Sequence, residues 1–143
     1  MSSFNFRYPI EVRYADIDSF RHVNNARYFT YMEQARARYL EHVGLWDGQT
    51  LDRLEIILAS IRCDYKRPIA FGDQVIVAVA TIRLGRKSFD MRYAIEDEQG
   101  NLFADGQATL VAYDYRSGSS IELPPAWRQQ LAEFEGLSPA VPE

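Results

Sequence analysis

The sequence predicts an α+β domain in which a curved antiparallel sheet of about five strands wraps a single long helix. Three observations carry that prediction. From Asn24 to Val43, and nowhere else at comparable length, apolar residues recur at close to helical spacing. From Ile57 to Tyr113 the period changes to two, and the segments are joined by turns short enough to favour antiparallel pairing. One helix has one apolar stripe, and a sheet that packs on it buries both partners.

A short first strand, Tyr8 to Tyr14, precedes the helix. In the helix, Phe29, Met32, Ala35, Tyr39, Leu40 and Val43 form the apolar stripe. At ~1.5 Å per residue it would be about 30 Å long. Asn24 and Asn25 suit its N-cap, and Gly44 suits the left-handed position after its last turn. Next, Ile57, Ala59, Ile61, Cys63 and Tyr65 alternate with Leu58, Ser60, Arg62, Asp64 and Lys66, and the strand ends near Arg67 and Pro68. Val75 to Leu84 is apolar on both faces, as in a strand that is central or sits at an interface. Phe89, Met91, Tyr93 and Ile95 then alternate with Ser88, Asp90, Arg92 and Ala94 after a turn at Gly85 and Arg86. The last strand, Leu102 to Tyr113, contains Gly106, which marks a bulge or a close backbone approach. Gly44 to Asp52 and Arg116 to Pro125 read as connections, and Trp127, Leu131 and Phe134 place a short helix within Pro124 to Glu135. If the helix covers one face of the sheet, the second apolar face of Val75 to Leu84 needs a partner, so a homo-oligomer is expected.

Composition narrows the function. The 143 residues carry 16 Lys and Arg against 20 Asp and Glu, a net charge of −4, so no overall positive field attracts nucleic acid or anionic lipid. A single cysteine, Cys63, excludes an internal disulfide, and with two histidines a structural zinc site is not expected. The first residues lack a charged-then-apolar leader, and no apolar run approaches the roughly 18 residues of a membrane span. The expectation is a cytoplasmic protein.

Polar residues are densest between the first strand and the helix, in YADIDSFRHVNNARY, which holds Asp16, Asp18, His22, Asn24 and Asn25. Free backbone N–H groups and the positive end of the helix dipole favour developing negative charge there. A carboxylate beside them could attack a carbonyl or deprotonate water while the amides hold the oxyanion, which is acyl transfer to water. The plainer reading makes the Asp residues turn caps and the Asn residues helix caps, and on spacing alone it is the stronger. Ser19 and His22 share too short a loop for a triad, and Cys63 reads as a buried small hydrophobe. Glu33 is set to pair with Arg36 at i,i+3. A second cluster, Arg86, Lys87 and Ser88, is either a solvated turn or a phosphate site.

RYADIDSFRHVNNARYFTYMEQAR strongly resembles the hotdog-fold acyl-CoA thioesterases of the 4-hydroxybenzoyl-CoA thioesterase type, and DYKRPIAFGD and GRKSFDMRY are similar to that family too. The resemblance covers roughly residues 8 to 115 of a single 1–143 domain, with the terminal helix at about 124–135 outside it. It implies a long helix wrapped by antiparallel strands and active sites formed across a dimer or tetramer interface. It implies Asp18 as nucleophile or general base and the Asn25 amide, with Asn24 beside it, as oxyanion donor. It further implies Arg86, Lys87 and Ser88 on the coenzyme A phosphates, and His22, Val23 and Tyr28 around the substrate. Coenzyme A would be part of the substrate, with no further cofactor and no metal. The aryl-CoA members carry a Pro-Ala-Gly stretch where this chain has SFRHVNN, a form more like the subgroup acting on fatty acyl-CoA. The alternative is a non-catalytic protein that binds acyl-CoA or acyl-carrier thioesters.

Overall fold

The computed structural model describes residues 4–50 and 55–142. Its elements are β1 (Phe6–Ile10), a 3₁₀ turn (Tyr14–Asp16), α1 (Arg27–Val43), β2 (Ile56–Tyr65), β3 (Val75–Leu84), β4 (Ser88–Glu96), β5 (Leu102–Asp114), β6 (Ser119–Ser120) and α2 (Pro125–Glu135). All strand pairings are antiparallel. The main path runs β1-β3-β4-β5-β2, and β6 pairs with β5, so the sheet has six strands where the sequence predicts about five. The additional strand is a two-residue return inside the Ser- and Gly-rich connection, too short to show a period.

Between β3, β4 and β5 the chain needs only short turns, while β1 and β2 reach the two edges. Edge position explains how β1 tolerates Pro9, which has no N–H to give a second neighbour. β1 also ends earlier than predicted, at Ile10 rather than Tyr14, because the Arg13 amide turns to the Asp16 carboxylate and the chain curls into the 3₁₀ turn. α1 starts at Arg27, later than Asn24, with Ala26 at its N-cap; Gly44 follows it in the left-handed conformation (φ 98°) as expected. α2 begins at Pro125, with Pro124 as the preceding cap residue. The Gly44–Asp52 connection is described only as far as Thr50; its last two residues lie outside the described ones.

α1 packs on β1, β3 and β4 through Tyr28, Tyr31, Met32, Ala35, Tyr39 and Leu40. Gly106 is a close approach, not a bulge: it stays in register between Tyr93 and Cys63, and a Cβ there would stand 2.7 Å from the Met32 sulfur and 3.2 Å from the Arg62 carbonyl. Its missing side chain lets the helix seat on the sheet. The irregularity in β2 lies elsewhere, between Leu58 and Ser60. It puts Leu58, opposite Leu110, on the same face as Ile61, Cys63 and Tyr65, a place the sequence pattern assigns to Ile57 and Ala59. Cys63 is half-buried on this edge strand, not enclosed as expected.

Most of β3 is buried within one chain, but Ile76 is half-buried and Ile82 is 45% exposed. Val77, Val79 and Thr81 belong to the helix side, and α2 also packs on β3. On the other side Ala78 pairs with Ala94 and Arg7, and Phe4, Arg7, Ile76 and Arg92 wall a cavity of about 610 Å³ over Ala94. One chain thus covers the two-faced pattern only in part, leaving Ile82 exposed. No described helix is long and apolar enough to cross a membrane.

Gly106→Ala is expected to destabilise the fold by about 1–3 kcal/mol through overpacking against Met32. In urea denaturation, combining it with Met32→Ala should cost less than the sum of the two single changes.

Candidate active site

The loop before α1 is organised by Asp16, which is 1% exposed. Its carboxylate accepts hydrogen bonds from the Arg13 amide (3.0 Å), the Arg13 guanidinium (3.0 Å) and the Tyr31 hydroxyl (2.7 Å). Arg27 stands 3.7 Å away. Burial pushes this carboxyl up, but the Arg13 amide, the Tyr31 hydroxyl and the Arg13 charge outweigh it and hold Asp16 below the ordinary carboxylate value. The Tyr31 hydroxyl is raised in turn, by burial and by the carboxylate it serves. The Asp16 carbonyl receives the Asn24 amide at 2.9 Å, which closes the loop against the entry to α1.

Inside that closure the chain makes a tight reversal. Ile17 bridges Val23, the Asp18 amide donates to the His22 carbonyl (3.1 Å), and the Arg21 amide donates back to Asp18 (2.9 Å). Arg21 takes a positive φ of 71° to make this turn. The Val23 amide bonds the Ile69 carbonyl, anchoring the reversal to the segment before β3.

Asp18 is half-buried at the base of this turn. One carboxylate oxygen accepts the Phe20 amide (2.9 Å) and the other accepts the Asn24 side-chain amide (3.0 Å). The oxygen of the same Asn24 side chain accepts the Ala26 amide at 2.8 Å. Asn24 is thus not the helix N-cap expected: it links Asp18 to the turn that leads into α1, and the Arg27 amide bonds its carbonyl. With the amides of Asn24, Ala26 and Arg27 occupied, the Asn25 amide is left with no acceptor among the described residues. The Asn25 carbonyl is fixed by the Tyr65 hydroxyl at 2.7 Å. Asn24 thus bonds the Asp18 carboxylate and, in the chain, precedes an amide with no acceptor among the described residues; carbonyl attack with oxyanion stabilisation uses groups of these two kinds.

The other predicted residues divide. His22 is exposed, and neither its ring nor the Ser19 hydroxyl bonds Asp18 among the described residues. Val23 and Tyr28 belong to the buried core, with Tyr28 edge-on to Tyr65 at 4.8 Å. Glu33 is exposed and lies 4.0 Å from Arg36, whose closer partner is the buried Tyr93 hydroxyl (2.9 Å). Burial pushes the Cys63 thiol up to about 11, which leaves little thiolate at neutral pH. Arg86, Lys87 and Ser88 lie beyond the far end of β3 from the Val23–Ile69 contact. The ten residues of β3 span about 30 Å at ~3.3 Å each, so one chain does not bring this turn to its own Asp18.

Three contributors were not legible as site residues: Tyr31, Tyr65 and the second role of Asp16. Tyr31 shares the buried face of α1 but is not in the apolar stripe read from the sequence, and nothing in the spacing says that its hydroxyl meets a carboxylate. A cavity of about 420 Å³ beside this pair is walled by Tyr8, Ile10, Asp16, Tyr31 and Gln34.

A family model described as the thioesterase-like superfamily matches residues 12–131. The chain belongs to that superfamily. Its match runs from the loop just described through most of α2. The long-chain acyl-CoA thioesterase FadM of Escherichia coli (strain K12) is 29% identical over 126 residues, covering 87% of this chain and 96% of that protein. A thioesterase from Thermus thermophilus, solved with coenzyme A and zinc, is 36% identical, with a TM-score of 0.84 over 96% of this chain and 100% of its own. A DHNA-CoA thioesterase from Staphylococcus aureus, 24% identical over 91% of this chain and 90% of that one, shares the fold with a TM-score of 0.80. By family this member of the superfamily is a thioester hydrolase.

Asp16→Asn is expected to lower stability by about 2 kcal/mol, since it weakens the charge-assisted hydrogen bonds that a buried carboxylate accepts from Arg13 and Tyr31. The folded carboxyl lies below its ordinary 3.8, so its contribution is full above that value and lost as pH falls through the folded value. Urea midpoints measured from pH 6 to pH 2 should show an acid-side fall that is shallower in the variant.

Proposed function

We propose that this protein hydrolyses acyl-CoA thioesters, with Asp18 as the reacting carboxylate and the Asn25 amide as oxyanion donor. The observation that carries the reading is the Asn24 bridge, which holds the Asp18 carboxylate at 3.0 Å while leaving the next backbone amide without an acceptor among the described residues. Asp18 acts at the thioester carbonyl directly or through a water whose proton it takes. The carbonyl oxygen gathers charge against the Asn25 amide, the carbon–sulfur bond breaks, and the thiolate leaves as coenzyme A once protonated. Water supplies the oxygen of the acid product, and the reaction as written needs no cofactor. The raised Cys63 thiol argues against a thiolate nucleophile.

Family resemblance supports Arg86, Lys87 and Ser88 as the group that meets the coenzyme A phosphates. Because β3 separates that turn from Asp18 in one chain, a site using both would draw them from two copies, as the hotdog thioesterases do. The HVNN sequence at residues 22–25 and the similarity to a long-chain acyl-CoA thioesterase favour a fatty acyl group. His22, Val23 and Tyr28 would sit around it, and the protein would work as a homodimer or homotetramer in the cytoplasm.

Thiol release from a panel of fatty and aromatic acyl-CoA esters tests this. Asp18→Asn should lower kcat by about 10²–10⁴-fold while moving the thermal midpoint by only a few degrees. Binding of acyl-CoA without thiol release in the unmodified protein would make it a binding protein instead. Asn24→Ala should lower kcat by about 10-fold and stability by about 1 kcal/mol, since it removes both the cap-like bond to Ala26 and the support of Asp18.

A further inference from the structure

Beneath the Gly85–Ser88 turn lies a guanidinium that the sequence reading does not single out. Arg128, in the second turn of α2, is 6% exposed. Its Nη2 donates to the Gly85 carbonyl and, at 3.5 Å, to the Arg86 carbonyl, while Nη1 reaches the Ala140 carbonyl at 3.5 Å. All of these acceptors are backbone oxygens. Among the described residues no carboxylate forms an ion pair with Arg128, although Arg86 beside it has Glu122 at 3.1 Å. A buried charge with no counter-charge among the described residues is an expensive way to bond carbonyls that a neutral amide could bond as well.

The turn itself shows what that expense serves. The Arg86 carbonyl also accepts the Leu123 amide (3.0 Å) and the Lys87 carbonyl accepts the Ala112 amide (2.9 Å), so the oxygens from Gly85 to Lys87 are all engaged by the body of the protein. The Gly85 amide bonds Ser88 at 2.7 Å, but the Arg86 and Lys87 amides have no acceptor among the described residues. Oxygens held inside and donors left over, with two exposed cationic side chains on the same residues, make a turn built to receive an anion. There is no room to relax it at Gly85, where a Cβ would meet the Ser88 carbonyl at 3.0 Å.

We propose that Arg128 is a positioning residue for the phosphate end of coenzyme A: from inside the fold it fixes the Gly85 and Arg86 carbonyls and sets behind the turn a positive charge that has no ion-pair partner among the described residues. The proposal rests on the acyl-CoA reading above and extends it to α2. Arg128 does not touch the substrate; Arg86, Lys87 and their amides do.

Steady-state kinetics on an acyl-CoA and on the matching acyl-pantetheine, which has the same thioester but no nucleotide, separate the possibilities. Arg86→Ala with Lys87→Ala should raise KM for acyl-CoA by about 10-fold or more and leave acyl-pantetheine unchanged. If it does not discriminate, the reading of the turn as a phosphate site fails, whatever Arg128 does. Given that discrimination, Arg128→Met should raise KM for acyl-CoA by a similar factor with kcat within twofold and acyl-pantetheine unaffected. Arg128→Lys, which keeps the charge but not the fork, should fall between. A merely structural Arg128 would change both substrates equally or neither, and that result overturns the proposal. If Arg128→Met does not fold, Arg128→Lys decides alone: a rise in KM confined to acyl-CoA supports the proposal, and an unchanged ratio of the two KM values overturns it.

Discussion

Everything about the candidate site depends on one buried negative charge. Asp16 gathers the Arg13 backbone and side chain from the end of β1 and the Tyr31 hydroxyl from α1, and its own carbonyl takes the Asn24 amide. Such a carboxylate is tolerable inside a protein only when its hydrogen-bonding capacity is met. Meeting it draws two distant pieces of chain to one point and leaves Asp18, two residues on, at a defined place beside the helix entry. The residue proposed to do chemistry is held by few and replaceable bonds; the one beside it, which does none, is held by many.

The same division runs through the rest of the molecule. Gly106 lets Met32 approach the sheet, and α1 seated there presents Tyr31 toward Asp16 on one side and Tyr39 toward the far end of the sheet on the other. At that end Glu135 accepts both the Tyr39 hydroxyl and the Thr81 amide, where the β3–β4 ladder is irregular. A strand defect thus becomes the attachment point for α2. α2 in turn carries Arg128 beneath the basic turn, so each end of α1 is tied to one of the two polar clusters.

Periodicity made most of the fold legible. β3 begins and ends at the predicted residues, β4 and β5 run one residue longer at the end, β2 is shifted toward Ile56 at both ends, and Gly44 closes α1 as read. What periodicity missed were places where a side chain competes with the backbone pattern: Asp16 ends β1 early by taking the Arg13 amide, and Asn24 delays α1 by turning its own amide group to Asp18. β6 was invisible because two residues have no period. In the site, Asp18 and Asn25 could be named because a motif carries them. Tyr65 could not, because the hydroxyl that fixes the Asn25 carbonyl comes from 40 positions along the chain, and Arg128 could not, because a buried arginine reads like any helix-surface cation until its carbonyl partners are seen.

The strand order also sets the sequence in which the molecule assembles. β3, β4 and β5 are successive hairpins that close short loops, whereas β1 must find β3, and β2 must find β5, across long stretches of chain. Closing long loops is slow because chain entropy is lost before any contact is gained. The three-strand meander can thus form on its own while both edges are still free. The loop with Asp18, tied through Arg13 to the chain just after β1 and through Val23 to Ile69, depends on the arrival of those edges for its shape, so its order is linked to the slower, long-range part of assembly.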